Sequence, residues 1–472
     1  MRQETKRMSC FRALVLCAAS PVLATVAPAA ADDDLATLLY WQAPEQAVWE
    51  DSFEEPMPPG FQVVSTEHDG PVFANAEGLT FYKWPQRDLR NGGTGDRQDG
   101  VSNCTDTVER TSAGLMSPYP AGLVLPELDS RPSCTEAWPL VLADEDAEPV
   151  GEWDILERED GKRQWTHDGF PLYTSVLDKE KGDVNGGFKL EARGDSPVLR
   201  EPVGPRPAIP PGFLVQQTTT GRLLIDNNGA SLYAWQGDET NKSNCFGKCA
   251  EIWSPVLAPA TAFAQGEWSV IERSPGTNQW AYRGQPLYRY SPDPRTRSLR
   301  GSDIEGWSNV YTQRPLPPPS GFTVQDSRIG QVLADANGKT IYTYNCSDDA
   351  MDQLSCDHPG SPQVYRMTLC GAGDPELCMK TFPYVTVSPG EESVSHLWKV
   401  MHIDPMTGRL AEPDQEGALA VWAYRGRPVY TYGGDETPGE ANGDHYGEFN
   451  GRRNGYKAFW LRDDFRDNMF SR

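Results

Sequence analysis

The length and charge of the chain limit what it can be. Its 472 residues exceed the about 100–200 residues of one ordinary domain, so we expect about three domains. The formal net charge of −24 opposes binding to nucleic acid or to an anionic membrane surface, because both repel an acidic protein. We therefore expect neither as a partner.

Residues 1–31 have the layout of a cleavable secretory signal. Basic residues precede an apolar run over 13–27, and three alanines at 29–31 come before three aspartates. The run is shorter than the about 20 residues that a membrane-spanning helix needs, so no transmembrane segment is predicted. Cys17 lacks the small residues expected before a lipidated cysteine, which leaves lipid anchoring as the less favoured alternative. The sequence predicts an exported protein, either periplasmic or extracellular.

Three tandem copies of one module follow the signal. Each copy opens with a Pro-Gly-Phe or Ser-Gly-Phe phrase and reaches a tyrosine 20 or 21 residues after the phenylalanine, at Phe61 and Tyr82, Phe213 and Tyr233, and Phe322 and Tyr342. Each copy then carries a cysteine, an aromatic residue four positions later and two further tryptophans. We divide the chain into a lead-in segment at 32–57, module 1 at 58–203, module 2 at 210–314 and module 3 at 319–465, with proline-rich linkers at 201–212 and 314–321.

The local pattern predicts an all-β fold. Short segments rich in Val, Ile, Tyr, Trp and Thr alternate with Asn-Gly, Asp-Gly and Arg-Gly turns, as expected for β-hairpins. No stretch keeps a 3.6-residue apolar period beyond about two turns, so helix should be a minor component. We expect disulfide-bonded β modules with irregular insertions. The spacing leaves open whether they are separate or packed into one propeller-like body.

One short pattern occurs in related form twice per module: Tyr, any residue, an aromatic, two residues and Asp. Tyr82, Tyr173 and Tyr342 begin degraded versions. Because strand side chains alternate, the two rings should share a face and the Asp should fall in the next turn. The favoured interpretation is a packed aromatic face followed by an Asx turn. The alternative is an exposed strip that stacks on a sugar or another planar ligand. It makes binding candidates of the nine residues in the complete motifs: Tyr233, Trp235, Asp238, Tyr288, Tyr290, Asp293, Tyr430, Tyr432 and Asp435.

These motifs, in this order and spacing over residues 58–461, resemble a family of bacterial exported proteins. The family is described as predicted lipoproteins with a Y-x-[FWY]-x-x-D motif, or as a secreted repeat of unknown function. Cys245, Cys249 and the downstream Trp253 are also typical of it. The resemblance implies an envelope location and a repeat architecture, and it brings no established activity.

Eight cysteines follow the signal, and an even count in an exported chain indicates disulfides. Aligning the step from cysteine to aromatic residue across the modules pairs Cys104 with Cys134, Cys245 with Cys249 and Cys370 with Cys378. This leaves Cys346 to pair with Cys356.

The histidines give weak metal signals. The sequence has no second cysteine pair for a zinc site and no covalent haem motif. His396, His402 and His445 form the one plausible histidine cluster for a metal or haem. His167 takes the place of tyrosines in the other modules, which suggests a role on a surface strand rather than a role as a ligand.

Two acidic stretches, 178–187 and 434–451, offer oxygen ligands of the kind that Ca²⁺ takes, although solvated turns are favoured. We therefore predict no cofactor and keep Ca²⁺ and haem as alternatives.

The sequence favours binding over catalysis. It contains no nucleophile elbow, phosphate loop or zinc-protease helix. Repetition without a unique polar constellation suits an exported non-catalytic protein that binds an envelope protein or a glycan. The alternatives are a periplasmic redox protein associated with a metal or haem, and a hydrolase that acts on envelope polysaccharide with two carboxylates.

Overall fold

A computed structural model describes most of the three modules. The described residues are 52–89, 92–107, 132–186, 200–274, 276–293, 296–345, 360, 363–447 and 455–462. The predicted signal, Cys346 and Cys356 lie outside these ranges.

Module 1 is built from short antiparallel strands. Its described elements are β1 Gln62–Ser65, β2 Pro71–Ala74, β3 Tyr82–Lys83, β4 Arg87–Leu89, β5 Gly92–Thr94, helix α1 Cys134–Ala137, β6 Trp153–Glu157, β7 Arg163–His167, β8 Phe170–Pro171 and β9 Glu201–Pro202. The pairs are β1 with β2, β3 with β9 and β4 with β5, and β6, β7 and β8 form a three-stranded sheet.

Module 2 has the most completely described set of strands. Its elements are β10 Phe213–Thr218, β11 Gly221–Asp226, β12 Tyr233–Trp235, helix α2 Lys248–Ile252, β13 Trp253–Pro255, β14 Leu257–Ala258, β15 Trp268–Ser274, β16 Thr277–Tyr282, β17 Gln285–Pro286, β18 Tyr288–Tyr290, a 3₁₀ helix at Arg300–Asp303, β19 Trp307–Asn309 and β20 Tyr311–Gln313. They form sheets in the orders β10-β11-β20, β13-β18-β12-β19 and β14-β16-β15, and β17 also pairs with β16.

Module 3 repeats this plan and adds one helix. Its described elements are β21 Thr323–Ser327, β22 Gly330–Ala334, β23 Tyr342–Asn345, helices α3 Val364–Gly371 and α4 Pro375–Thr381, β24 Trp398–Ile403, β25 Leu419–Tyr424, β26 Arg427–Tyr430, β27 Gly455–Ala458 and β28 Trp460–Arg462. The sheet orders are β21-β22-β28 and β24-β25-β26-β23-β27.

The predicted all-β class is confirmed. Every ladder between the named strands is antiparallel, and the strands of each module pair only with strands of the same module. Within the described ranges, the strands form separate sheets of two to five strands, and no closed barrel or propeller is present.

Each module consists of two equivalent halves. In the first half of module 2, a hairpin (β10 and β11) is followed by a tight turn, and Leu232 N–H donates back to Leu224 O at 3.1 Å. In the second half, a hairpin (β15 and β16) is followed in the same way, and Leu287 N–H donates to Trp280 O at 3.0 Å. The tyrosine after each leucine then begins a short strand.

The two halves meet at their tyrosines. Across the antiparallel pair of β12 and β18, Tyr233 lies opposite Tyr288. The corresponding tyrosines are paired in module 1 (Tyr82 and Tyr173) and in module 3 (Tyr342 and Tyr430). A local twofold axis therefore relates the two halves of each module and passes between the two tyrosines.

The halves also exchange strands. Val256, which follows the first half of module 2, donates its N–H to Leu287 O in the second half at 2.9 Å. Val310, which follows the second half, donates to Leu232 O in the first half at 2.9 Å. The same pattern holds in module 1, where Val141 donates to Leu172 O and Val203 to Phe81 O. Each half is thus completed by a strand that the other half supplies.

The phenylalanine that opens each module joins the two halves. It contacts the first tryptophan of the second half with ring centroids 5.2 Å apart for Phe61 and Trp153, 4.6 Å for Phe213 and Trp268, and 5.2 Å for Phe322 and Trp398. Such pairs add about 0.5–1.5 kcal/mol beyond the burial of their surface. This contact explains why phenylalanine and tryptophan recur together in all three copies.

Three of the four predicted disulfides lie in the described residues, and all three form. They join Cys104 to Cys134, Cys245 to Cys249 and Cys370 to Cys378. In each case the second cysteine lies in a short helix that ends just before the aromatic residue four positions later.

The turn between β1 and β2 packs module 1 against both other modules. Asp69 Oδ2 lies 2.8 Å from Nη1 of Arg425 in module 3. Two side chains of module 2 reach the same turn: Arg222 donates to Asp69 O at 2.9 Å, and Gln217 donates to His68 O at 3.0 Å. Modules 2 and 3 are joined in turn by Arg462 and Asp303, at 2.7 Å. The three modules are therefore in contact with one another.

Replacing Arg425 with Met should weaken this packing strongly. The Arg425 side chain is only 1% exposed, so its loss leaves the 12% exposed Asp69 carboxylate without its cation. We expect the free energy of unfolding to fall by about 3–5 kcal/mol in urea denaturation. The control is Arg462→Met, which removes an ion pair to a 55% exposed carboxylate and should cost no more than about 1 kcal/mol. If both variants lost the same free energy of unfolding, Arg425 would not hold the modules together more strongly than a surface ion pair does.

Candidate functional site

The first tyrosine of each motif is buried, and in five of the six motifs its hydroxyl donates to an aspartate of the other half of the module. These crossed bonds join Tyr82 to Asp178 (2.8 Å), Tyr173 to Asp96 (2.5 Å), Tyr233 to Asp293 (2.8 Å), Tyr288 to Asp238 (2.7 Å) and Tyr342 to Asp435 (2.6 Å). The tyrosine and aspartate of one motif are therefore not partners. In modules 1 and 2, each half supplies a donor to the other half and receives one from it.

The second oxygen of the aspartate holds its own loop closed. Asp178 Oδ1 accepts the N–H of Asn185 at 2.8 Å, and Asp435 Oδ1 accepts the N–H of Asn442 at 2.8 Å, each seven residues further along. Asp238 makes the same bond to the N–H of Asn244 at 2.7 Å, after six residues. The aspartate thus fixes the loop that leads into the exchanged strand, which is a wider closure than the Asx turn we expected.

Burial shifts the titration of these pairs. Removal from water raises the pKa of Asp178 to about 7 and that of Asp96 to about 6. The same cause raises the pKa of Asp238 and that of Asp435, and it raises the pKa of Tyr288 to about 12. The tyrosine hydroxyls therefore stay protonated as donors, and the crossed pairs serve as clamps between the halves.

The second aromatic residues of the two motifs enclose two further rings. In module 2, Trp235 stacks on Trp307 at 5.6 Å between ring centroids, and Trp307 stacks on Trp253 at 3.6 Å with an interplanar angle of 3°. Trp253 then contacts Tyr290 at 4.3 Å. We call these four rings the aromatic ladder. Its two ends come from the motifs of the two halves.

The other modules build the same stack from different residues. In module 3 the order is Tyr344, Tyr456, Phe382 and Tyr432, with centroid distances of 5.3, 3.5 and 4.9 Å. In module 1 the guanidinium of Arg200 takes the place of the second ring, 4.2 Å from Trp84 and 4.4 Å from Trp138. A cation between two indoles is stabilised by the negative faces of both rings.

Only some candidate binding residues present surface to a ligand. Tyr233, Tyr288 and Tyr430 are buried, and Asp238, Asp293 and Asp435 are engaged in the crossed bonds or lie next to them in the loops. Trp235, Tyr290 and Tyr432 are half-buried. The outer rings Trp84 and Tyr344 of modules 1 and 3 are each only 7% exposed, so module 2 alone has both ladder ends accessible among the described residues.

A shallow pocket lies beside one end of the ladder in module 2. Its lining includes Tyr290, Pro292, Arg300, Asp303 and Ile304. An aromatic ring, an apolar side chain, a guanidinium and a carboxylate thus lie around the same space. This combination can bind a small molecule that has both an apolar face and hydroxyl groups.

Sequence reasoning missed the centre of the stack. The position is occupied by Arg200, Trp307 and Tyr456 in the three modules. Because these residue types differ and the preceding loops differ in length, the repeat pattern gave no signal for them. The antiparallel register, in which Trp235 pairs with Trp307, reveals the equivalence.

The three histidines of module 3 do not form one group in the structure. His396 Nδ1 lies 2.8 Å from Asp183 Oδ1 of module 1, and Lys399 Nζ is bound to the same carboxylate at 2.8 Å. His445 contacts Asp444 at 3.0 Å. Among the described residues with metal-ligand spacing, His396 groups with Glu180 and Asp183, and neither His402 nor His445 belongs to a group. Lys399 already supplies a cation to that carboxylate pair.

His167 differs from its predicted setting. We expected a surface strand, but the residue is 8% exposed, and its ring packs on Trp153 at 4.7 Å and on Phe73 at 5.2 Å. Its Nε2 lies 3.1 Å from Glu55 Oε1. The expectation was wrong because the tyrosine that occupies this position in the other modules is itself buried.

The fold and the crossed bonds define the class: a tandem-repeat β protein whose paired half-modules exchange strands. The family model described as a secreted repeat of unknown function matches residues 154–188, 215–257 and 419–453. These segments cover one half of each module, so the family's repeat corresponds to the half-module. The chain therefore contains this secreted repeat in each of its three modules, and the resemblance inferred from the motif is confirmed.

Comparison with curated proteins and with solved structures found no related protein. No curated protein and no solved structure matches the chain significantly. Across the described residues, no helix has the length and apolar character needed to cross a membrane.

Replacing Asp178 with Asn should change how stability depends on pH. Burial raises the pKa of Asp178 from its ordinary value of 3.8 to about 7, so the folded state keeps a proton that the unfolded state loses. This group contributes stability that is complete below about pH 4 and is lost as pH rises through about 7. We expect the wild-type protein to lose stability relative to Asp178→Asn over this range, in urea denaturation at each pH.

Asp154→Asn provides the matched control, because it removes an exposed carboxylate of the same module. If the difference in unfolding free energy between wild type and Asp178→Asn stayed constant from pH 4 to 8, the shifted titration of Asp178 would be ruled out.

Proposed function

We propose that this protein is an exported, non-catalytic binding protein that takes an oligosaccharide of the cell envelope on the exposed end of the aromatic ladder. The observation that carries this proposal is the position of Tyr290. Its half-buried ring ends a continuous aromatic stack and lines a pocket. A flat aromatic ring offers an apolar surface to the C–H face of a sugar. The family's description as secreted agrees with an extracytoplasmic ligand.

The groups around Tyr290 suit a sugar. The Arg300 guanidinium can donate hydrogen bonds to hydroxyls, and the Asp303 carboxylate, which also binds Arg462, has further lone pairs that can accept them. Ile304 is 42% exposed, and Ile252, which immediately precedes Trp253 of the ladder, is 48% exposed. Ile304 adds apolar surface within the pocket, and Ile252 adds it beside the ladder.

The ladder also makes the surface rigid. Tyr290 packs on Trp253, which lies directly after helix α2 and is hydrogen-bonded to Cys249 O through its own N–H. Cys249 is tied to Cys245 by the disulfide. A ring held in place before binding loses little conformational entropy when a ligand arrives.

Binding is supported over catalysis by the state of the motif carboxylates. Asp238 and Asp293 each accept a tyrosine hydroxyl from the opposite half. The acidic residues that recur in the repeats thus have a structural role that accounts for their presence.

Replacing Tyr290 with Ala should weaken oligosaccharide binding. We would titrate the exported protein with a panel of soluble envelope oligosaccharides and follow the fluorescence of the ladder tryptophans. Loss of a central aromatic contact costs about 2 kcal/mol, so the Kd should rise roughly 30-fold. Tyr290→Phe keeps the ring and should retain binding.

A matched control is Phe263→Ala, which removes a 70% exposed ring of module 2 that is not part of the ladder. Its affinity should equal that of the wild type. The proposal fails if no oligosaccharide changes the fluorescence of the wild-type protein, or if Tyr290→Ala binds as tightly as Phe263→Ala.

A further inference from the structure

Module 1 departs from the repeat at one buried position. In module 2, Tyr282 donates its hydroxyl to Glu267 Oε2 at 2.8 Å. Module 1 has His167 at the tyrosine position and Glu152 at the glutamate position. In both modules, the histidine or tyrosine lies opposite the first tryptophan of the hairpin, and the glutamate immediately precedes that tryptophan. An imidazole nitrogen thus replaces a phenol oxygen, which changes a hydrogen-bond donor into a potential metal ligand.

A second carboxylate reaches this position from outside the repeat. Glu55 belongs to the lead-in segment, which is fixed on the linker after module 1 by the N–H of Phe53 donating to Arg206 O at 2.8 Å and by a bridge between Ser52 and Pro207. The Glu55 side chain is 16% exposed, and its Oε1 lies 3.1 Å from His167 Nε2.

The spacing of the three side chains fits metal coordination. One ligand atom from each of Glu55, Glu152 and His167 lies within 4.8 Å of the other two. Ligand atoms around a tetrahedral Zn²⁺ are about 3.3 Å apart, given bonds of about 2.0–2.2 Å. The 3.1 Å between His167 Nε2 and Glu55 Oε1 is already close to that value.

The electrostatics of the group favour a cation. Two carboxylates face a single imidazole, and Arg206 reaches only Oε1 of Glu152, at 2.5 Å. The Glu152 side chain is 37% exposed, but its Oε2 atom is buried and has no hydrogen-bond partner among the described residues. A buried carboxylate oxygen without a partner costs free energy, and a divalent cation between it and His167 would remove that cost.

We propose that Glu55, Glu152 and His167 bind a divalent transition metal, with Zn²⁺ as the best fit to one nitrogen and two carboxylate ligands. A water molecule would complete a tetrahedral site. The group of Glu180, Asp183 and His396 is not equivalent, because Lys399 is bound to both of its carboxylates. The metal would tie the lead-in segment to the second half of module 1.

The test uses the untagged exported protein, stripped of metal with a chelator and titrated with Zn²⁺ by calorimetry. We expect one equivalent to bind. His167→Tyr restores the residue type found in modules 2 and 3, so it should fold, and it should bind Zn²⁺ at least about 100-fold more weakly. Glu55→Gln is a second variant, in a segment outside the repeat, and should also weaken binding. Circular dichroism and thermal unfolding check that both variants are folded.

The control variant is His396→Ala, which removes the histidine of the other carboxylate group and should keep the wild-type affinity. The proposal is overturned if the wild-type protein binds no Zn²⁺, if His167→Tyr and Glu55→Gln both bind like the wild type, or if His396→Ala abolishes the binding.

Discussion

The crossed hydrogen bond between a buried tyrosine and an aspartate of the other half is the interaction on which the modules depend. A half-module alone would have a buried hydroxyl without its acceptor and a hairpin without its third strand. Burying the tyrosine hydroxyl, or a backbone group on the open edge of the hairpin, without a hydrogen-bond partner costs about 1–3 kcal/mol for each group. Two halves remove both defects at once, which explains why the repeats occur in pairs along the chain. The stacked aromatic residues and the disulfides are built around this exchange.

The sequence predicted the parts of this fold that depend on local spacing. The hairpins follow from turn residues and alternation, and the three described disulfides follow from the step between cysteine and aromatic residue. It could not predict the exchange, because Tyr233 and Asp238 are close in sequence and look like partners, whereas Tyr233 binds Asp293. Nor could it predict that Glu55 reaches His167, because this contact joins a segment outside the repeat to one inside it.

The three modules share a scaffold, and their differences mark the surfaces that can carry function. The shared tyrosines and aspartates are used inside the modules, where each is bound to another part of the same module. Among the described residues, module 2 alone has both ladder ends accessible, and module 1 alone has a histidine at the position that is a tyrosine in the other two modules. In module 3, the buried Arg366 guanidinium donates a hydrogen bond to the hydroxyl of Tyr384 at 2.6 Å, so this residue is used inside the module and not at its surface. A repeat can thus keep one clamp and vary the residues around it.

A double-mutant cycle in module 2 tests the crossed bond most directly. Tyr233→Phe would be combined with Asp293→Asn, its partner in the other half, and separately with Asp238→Asn, the aspartate of its own motif. Unfolding free energies from urea denaturation give the coupling energy of each pair. We expect a coupling of about 1–3 kcal/mol for Tyr233 with Asp293 and less than about 0.5 kcal/mol for Tyr233 with Asp238. A larger coupling within the motif than across the halves would contradict it.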